Sequence, residues 1–157
     1  MRLVIARHGK AEQDSPTGRD ADRRLTLRGE NQARWLGETL LATGFRDALV
    51  LTSQAERARR TAEILCEVLG IEPVLTPGLM LGRRASEAIE VIDQHRDRGE
   101  LILVGHNPTM SELATILTRG LGCSCIGLKT GSAAMIEVKG EPMPGIASLE
   151  DVIRLDD

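Results

Sequence analysis

Short apolar runs alternate with stretches of helical spacing along this chain. Leu3-Val4-Ile5-Ala6 predicts a strand over 2–6. From Thr26 to about Thr43, Trp35, Leu36, Leu40 and Leu41 keep helical spacing, and Gly44 stands as the stop. A second strand is expected over 48–52. A second helix is expected over 55–69, with Ala62, Leu65, Cys66 and Leu69 on one face and Gly70 after it. Val74-Leu75 reads as a short strand between prolines, and 85–97 as a helix. Glu100 to Val104 is a nearly continuous apolar run, as expected of a strand covered on both faces. Asn107-Pro108 then predicts a helix to about Thr118, with Asn as N-cap and Pro as first helical residue. Residues 133–138 alternate like a strand, and 151–155 read as an edge strand.

This alternation predicts an α/β fold: three layers, α/β/α, around a mostly parallel central sheet. The length of 157 residues suits one domain over 1–157, with no segment long enough for a separate cap. Segments 10–24 and 140–148, rich in Gly, Pro and charged residues, read as mobile connections.

Composition narrows the function classes. The formal net charge is −3 with both signs mixed, which argues against nucleic acid or an anionic membrane surface as partner. The only aromatics are Trp35 and Phe45, too few for stacking on bases. No apolar run reaches the length of a membrane span, and the N-terminal run is too short for a secretory signal. Cys66, Cys123 and Cys125 form an odd set that fits a reducing compartment, so a cytoplasmic location is expected. Cys123-Ser124-Cys125 lacks the further ligands of a zinc site and reads as buried or half-buried thiols; no metal is expected. His95, among Gln94, Arg96 and Asp97, reads as a solvated helix residue. The sequence carries no marker of oligomeric state.

The candidate chemistry sits where the strands end. Arg7-His8-Gly9 follows the first apolar run, Ser53…Arg57-Ala58…Thr61 the second, and Gly105-His106-Asn107-Pro108 the third long one. Ligands of open α/β sheets bind outside the carboxyl ends of strands. Two arginines and two histidines delivered there suit phosphoryl transfer, whose charge spreads over the equatorial oxygens and is best met by preorganised cations. Arginine offers a planar fork that stays charged. Histidine is a covalent nucleophile when an unprotonated ring nitrogen faces phosphorus, and nearby arginines disfavour the imidazolium form. Gly9 is expected to permit a sharp turn. Arg59 and Arg60 read as solvated surface residues.

The ordered set, together with Arg23-Arg24-Leu25-Thr26…Gly29, resembles the histidine phosphatase superfamily, or phosphoglycerate mutase-like proteins, and most closely its compact phosphohistidine phosphatases of the SixA type. The resemblance runs from about residue 2 to 138. It implies that His8 takes the phosphoryl group, that Arg7 and Arg57 bind its oxygens, and that His106 completes the pocket, all without a cofactor. Asn107 adds a further candidate phosphate contact at a helix N-terminus. The chain departs from the family at Gln54, where proline is usual, and at Arg60, where glutamine is common.

Larger family members draw a carboxylic general acid from the segment after the third strand. Here residues 76–86 contain no Asp or Glu, and Glu87 is the first candidate. A phosphate ester must expel an alkoxide, whereas phosphohistidine protonated on its other ring nitrogen expels neutral imidazole, whose conjugate acid has a pKa near ~6.5. The expected function is therefore a phosphohistidine phosphatase acting, at a shallow unlidded pocket, on a histidine-phosphorylated protein of a phosphorelay or a sugar-uptake system. The alternatives are a phosphomonoesterase or mutase for small esters, and a non-catalytic phosphate-binding module.

Overall fold

The run Leu3-Val4-Ile5-Ala6 sends alternate side chains to opposite faces of one sheet, and both faces are buried. In the computed structural model, which describes residues 1–156, it is the middle of strand β1 (Arg2–Arg7). Leu3 and Ile5 join a core with Leu101, Leu103, Ile92, Met110, Leu113 and Leu117. Val4 and Ala6 join a second core with Ile102, Val104, Leu36, Leu40, Ala62 and Leu65. The period of two along a strand divides the interior into these halves.

The remaining elements are α1 (Leu27–Ala42), β2 (Leu49–Thr52), α2 (Glu56–Leu69), β3 (Val74–Leu75), α3 (Ala85–Gln94), β4 (Glu100–Gly105), α4 (Thr109–Arg119), β5 (Ala133–Glu137) and β6 (Ser148–Ile153). Short 3₁₀ turns occupy Asp20–Asp22 and Pro77–Leu79. The sheet runs β3-β2-β4-β1-β5-β6. The first four strands are mutually parallel; β5 runs antiparallel to β1, and β6, antiparallel to β5, returns to the common direction. Helices α1 and α2 cover one face, α3 and α4 the other, so the expected three-layer, mostly parallel α/β architecture is observed. Thr26 caps α1, its Oγ1 accepting from the Gly29 N–H at 3.0 Å. Gly70 ends α2 at φ +72°, the left-handed conformation that glycine adopts without a Cβ penalty.

Several boundaries differ from the expectation. Helix α3 stops at Gln94 because the apolar stripe ends at Ile92; His95 is its C-cap, half-buried, with Nδ1 2.8 Å from the Val91 carbonyl. Helix α4 begins at Thr109, one residue past the expected proline, and Asn107 Oδ1 accepts from the Ser111 N–H at 3.2 Å. Strand β6 is the expected edge strand but starts at Ser148, where pairing with β5 sets the register across a bulge at Met135/Ile136. The stretches expected to be mobile are pinned. Segment 10–24 is tied by the Ala11–Leu25 bridge and by Glu12 N–H to Arg24 O at 2.8 Å. Segment 140–148 is tied by Gly145 and Ala147 N–H groups to the Ile116 and Leu117 carbonyls, each at 2.9 Å. No described helix is long and apolar enough to cross a membrane.

Candidate active site

Strand register brings the motifs together. Arg7 pairs with Gly105 across β1 and β4, so His8 and His106 emerge side by side, with ring centroids 5.3 Å apart. Thr52 pairs with Val104 across β2 and β4, which sets Ser53 beside the same point. Arg57 enters from the first turn of α2. His8, Arg57 and His106 are 6%, 4% and 5% exposed, so the charged and titratable groups form a buried floor.

Gly9 serves this floor by close approach rather than by an unusual turn. It is absent from the glycines with positive φ, but a Cβ there would lie 2.6 Å from the Gly29 carbonyl oxygen. The start of α1 thus presses directly on the residue after His8. The Gly9 N–H donates to Thr61 Oγ1 at 3.0 Å, and Thr61 in turn donates to the Arg57 carbonyl at 2.7 Å. The motif positions Gly9, Arg57 and Thr61 are thereby locked to one another.

The His8 ring has one defined protonation pattern. Its Nδ1 lies 2.8 Å from the Gly9 carbonyl, which can only accept, so Nδ1 carries the proton. Nε2 therefore holds a lone pair, and Arg57 Nε–H donates to it at 3.3 Å. Burial chiefly pushes the His8 pKa down to about 4; the Gly9 bond opposes it, and the charges of Arg57, Arg7 and Arg23 each add a smaller lowering. The ring is neutral at physiological pH and its free nitrogen is suited to attack phosphorus.

His106 is set differently. Burial first, then His8, Arg57 and Arg7, lower its pKa to about 3, so it too is neutral. Its Nε2 lies 2.7 Å from Ser53 Oγ. Ser53 Oγ already accepts from the Ala55 N–H at 3.2 Å, and its own proton finds a better acceptor in the imidazole nitrogen than in the Met80 thioether at 3.4 Å. That assignment leaves the proton of His106 on Nδ1, which is buried and without a protein partner. Arg7 Nε is also buried and unpartnered, while Arg7 Nη1 donates to the Leu128 carbonyl at 3.2 Å. A buried unsatisfied donor is costly; two of them on residues lining one pocket suit an anionic ligand there.

The pocket has a volume of about 290 Å³. Arg7, Lys10, Arg23 and Arg57 supply four cations beside the two histidines, and no Asp or Glu lines it. A larger cleft, of about 390 Å³, lies between α2 and Ile71-Glu72-Pro73 and holds none of the motif residues. The pocket is less open than a shallow unlidded bowl. Segment 10–24 folds over its edge, where Asp20 takes both terminal nitrogens of Arg57: Nη1 donates to the Asp20 carbonyl at 2.8 Å and Nη2 to Oδ2 at 3.0 Å.

The structure thus gathers Arg7, His8, Arg57 and His106 as expected. Asn107 also lines the pocket, but its amide is occupied: Nδ2 donates to the Leu128 carbonyl at 2.8 Å and Oδ1 accepts from Ser111. Glu87 stays outside the pocket, half-buried on α3 and paired with Arg83 and Arg84, which hold its carboxyl below the usual range. Arg59 and Arg60 turn to Glu56, Glu63 and Glu67 along the outside of α2. Cys123 and Cys125 are exposed rather than buried, because they fall in a surface loop beyond Gly120, outside the two cores; Cys66 is buried, and its thiol is pushed up to about 12, chiefly by burial. Among the described residues no group of three or more metal-ligating side chains comes together. Sequence reasoning had assigned no role to Lys10, Arg23, Asp20 or Ser53. Arg23 and Ser53 lie within motifs already noticed and Lys10 beside one, whereas Asp20 carries no spacing signal.

Comparison with known proteins agrees with this geometry. The sequence profile of the histidine phosphatase superfamily, branch 1, matches residues 3–81. An uncharacterized protein of Picosynechococcus sp. is 31% identical over 144 residues, covering 85% of this chain and 87% of that one. A protein named "Probable phosphoglycerate mutase GpmB" from Serratia proteamaculans is 29% identical over 153 residues, covering 89% and 70%. The solved structure of the protein histidine phosphatase SixA complexed with tungstate superimposes with a TM-score of 0.86 at 20% identity, covering 98% of this chain and 97% of that one. The fold is that of the phosphoglycerate mutase-like α/β proteins. The chain belongs to the histidine phosphatase superfamily.

Proposed function

We propose that this protein is a phosphohistidine phosphatase that works through a covalent intermediate on His8. The observation that carries the reading is a cationic pocket with a neutral histidine nucleophile and no carboxylate in its lining. His8 Nε2 attacks phosphorus and the bond to the leaving group breaks, its electron pair going to the leaving atom. Arg7, Arg57 and the Nδ1–H of His106 hold the equatorial oxygens. A leaving imidazole already protonated on its other nitrogen departs neutral and needs no acid, whereas an alkoxide does. Water then attacks phospho-His8, releasing inorganic phosphate and restoring the free ring. The substrate in this reading is a phosphohistidine presented by a protein of a phosphorelay or sugar-uptake system, and the likeness in fold to SixA supports it. The three free thiols support a cytoplasmic setting.

A second reading, hydrolysis of small phosphate esters, is favoured by the relatives with mutase names. Turnover of a phosphohistidine protein and of a sugar phosphate, measured side by side with and without EDTA, decides between them. We expect fast, EDTA-insensitive loss of phosphate from phosphohistidine and little from the sugar. Comparable rates on both would move the assignment to the ester reading.

A further inference from the structure

Among the described residues, Asp20 is the carboxylate paired with Arg57 of the cationic pocket. Its Oδ2 takes Arg57 Nη2 at 3.0 Å and its Oδ1 takes Arg23 Nη1 at 3.1 Å. The hydrogen bond from Arg23, then that from Arg57, holds its carboxyl below the usual range, so it is an anion and no proton donor at working pH. More than half of its side chain is exposed, and its charge is felt at His106 on the floor below. Arg23 lines both the phosphate pocket and an adjoining cavity of about 480 Å³ that Asp20 also lines. A fixed negative charge therefore stands at the mouth, where a leaving group must lie if His8 attacks from below.

We propose that Asp20 is a specificity-determining residue that selects proton-carrying nitrogen leaving groups over oxygen ones. The inference deepens the reading of the protein as a phosphohistidine phosphatase and rests on it. A bound phosphohistidine whose ring is protonated carries a negative phosphoryl end and a positive ring. The phosphoryl end goes to Arg7 and Arg57, and the ring N–H donates to Asp20. When His8 Nε2 bonds to phosphorus, the P–N bond breaks, its electrons pass to the ring nitrogen, and neutral imidazole leaves with the N–H it brought. An ester has no such proton. Its leaving oxygen gains negative charge beside an ionised carboxylate that has no proton to give. Inorganic phosphate and tungstate, which carry only negative charge, must also compete with Asp20 for Arg57.

The test is Asp20→Asn, which keeps the shape and removes the charge. Two readouts should move in opposite senses. Inhibition by tungstate should tighten about tenfold or more, and kcat/KM for phosphohistidine relative to an activated aryl phosphate should fall about tenfold, since hydrogen bonds to charged groups are the stronger kind but this one is partly exposed. The upper pH limit of phosphohistidine turnover should also move down, because Asp20 no longer favours the protonated ring. A loss of affinity for both substrates and tungstate alike would mark Asp20 as merely structural and overturn the inference, as would a selectivity ratio unchanged in Asp20→Asn. Absence of phosphohistidine turnover in the wild type is a separate outcome: it overturns the functional reading, whatever the variant does.

Discussion

The floor of the pocket and its mouth are built by different physics. On the floor, His8, Ser53 and His106 follow strands packed on both faces, and each has a hydrogen bond to a group fixed by the sheet or by Gly9. At the mouth, Asp20 and Arg23 belong to a segment held by short-range bonds, ion pairs and one isolated bridge. Burial lowers both imidazole pKa values and freezes their tautomers; exposure leaves the mouth polarisable and replaceable. Chemistry belongs in the first environment and choice among substrates in the second.

The floor should break first and hardest. His8→Ala removes the only candidate nucleophile in the motif, and turnover should fall on the order of 10⁶-fold, as when another covalent nucleophile is removed. An acid-labile phosphoenzyme, detected by rapid acid-free quench, should form on the wild type alone. Arg57→Ala should cost on the order of 100-fold or more in kcat/KM, whereas Arg60→Ala, which loses only contacts to Glu63 and Glu67 outside the pocket, should stay near wild type. Equal damage from both would mean that the register of α2 toward the phosphate is wrong.

Ser53→Ala tests a subtler part of the floor. Without the hydroxyl that fixes the Nε2 lone pair, the proton of His106 distributes over both nitrogens, and kcat should drop roughly tenfold, in the range of other partners that orient a reactive histidine. The ¹⁵N spectrum of His106 should show the change in tautomer; an unchanged spectrum would remove Ser53 from this role.

Acid sharpens the comparison further. Both buried rings have folded pKa values below their ordinary 6.5, near 4 for His8 and 3 for His106. On acidification the unfolded chain takes up these protons first, so the stability held above pH 6.5 is lost as pH falls toward 4 and 3. Thermal midpoints measured across that window should decline, and neither ring should titrate near 6.5 by NMR in the ligand-free protein. The smallest effect belongs to Glu87→Gln. That side chain lies outside the pocket and is bound to Arg83 and Arg84, so phosphohistidine hydrolysis should change less than about twofold; a collapse would make Glu87 a general acid after all.

Sequence pattern revealed the floor and concealed the mouth for the same reason. Leu3 to Ala6 and Leu101 to Val104 announce strands because burial on both faces demands apolar residues, and the motif residues after them inherit defined places. Asp20 lies in a run of Ser, Thr, Gly, Asp and Arg that reads only as loop, and its partner Arg57 is 37 residues away. Nothing local records such a pairing. Gly9 was noticed for the wrong property: its requirement comes from Gly29, a neighbour in space that no spacing rule connects to it. The start of α4 shifted because the Asn107 side chain takes the Ser111 N–H, one turn in, a bond that periodicity does not weigh.

The place of β1 has a consequence for how the chain folds. Its two neighbours are β4, with Arg2 opposite Glu100, and β5, with Arg2 opposite Glu137. β1 is thus separated from the nearer of its two partners by about a hundred residues of chain. Such long-range closure slows folding and leaves an apolar segment uncovered in the interval. His8, the proposed nucleophile, therefore reaches its place beside His106 only when segments about a hundred residues apart in the chain have met.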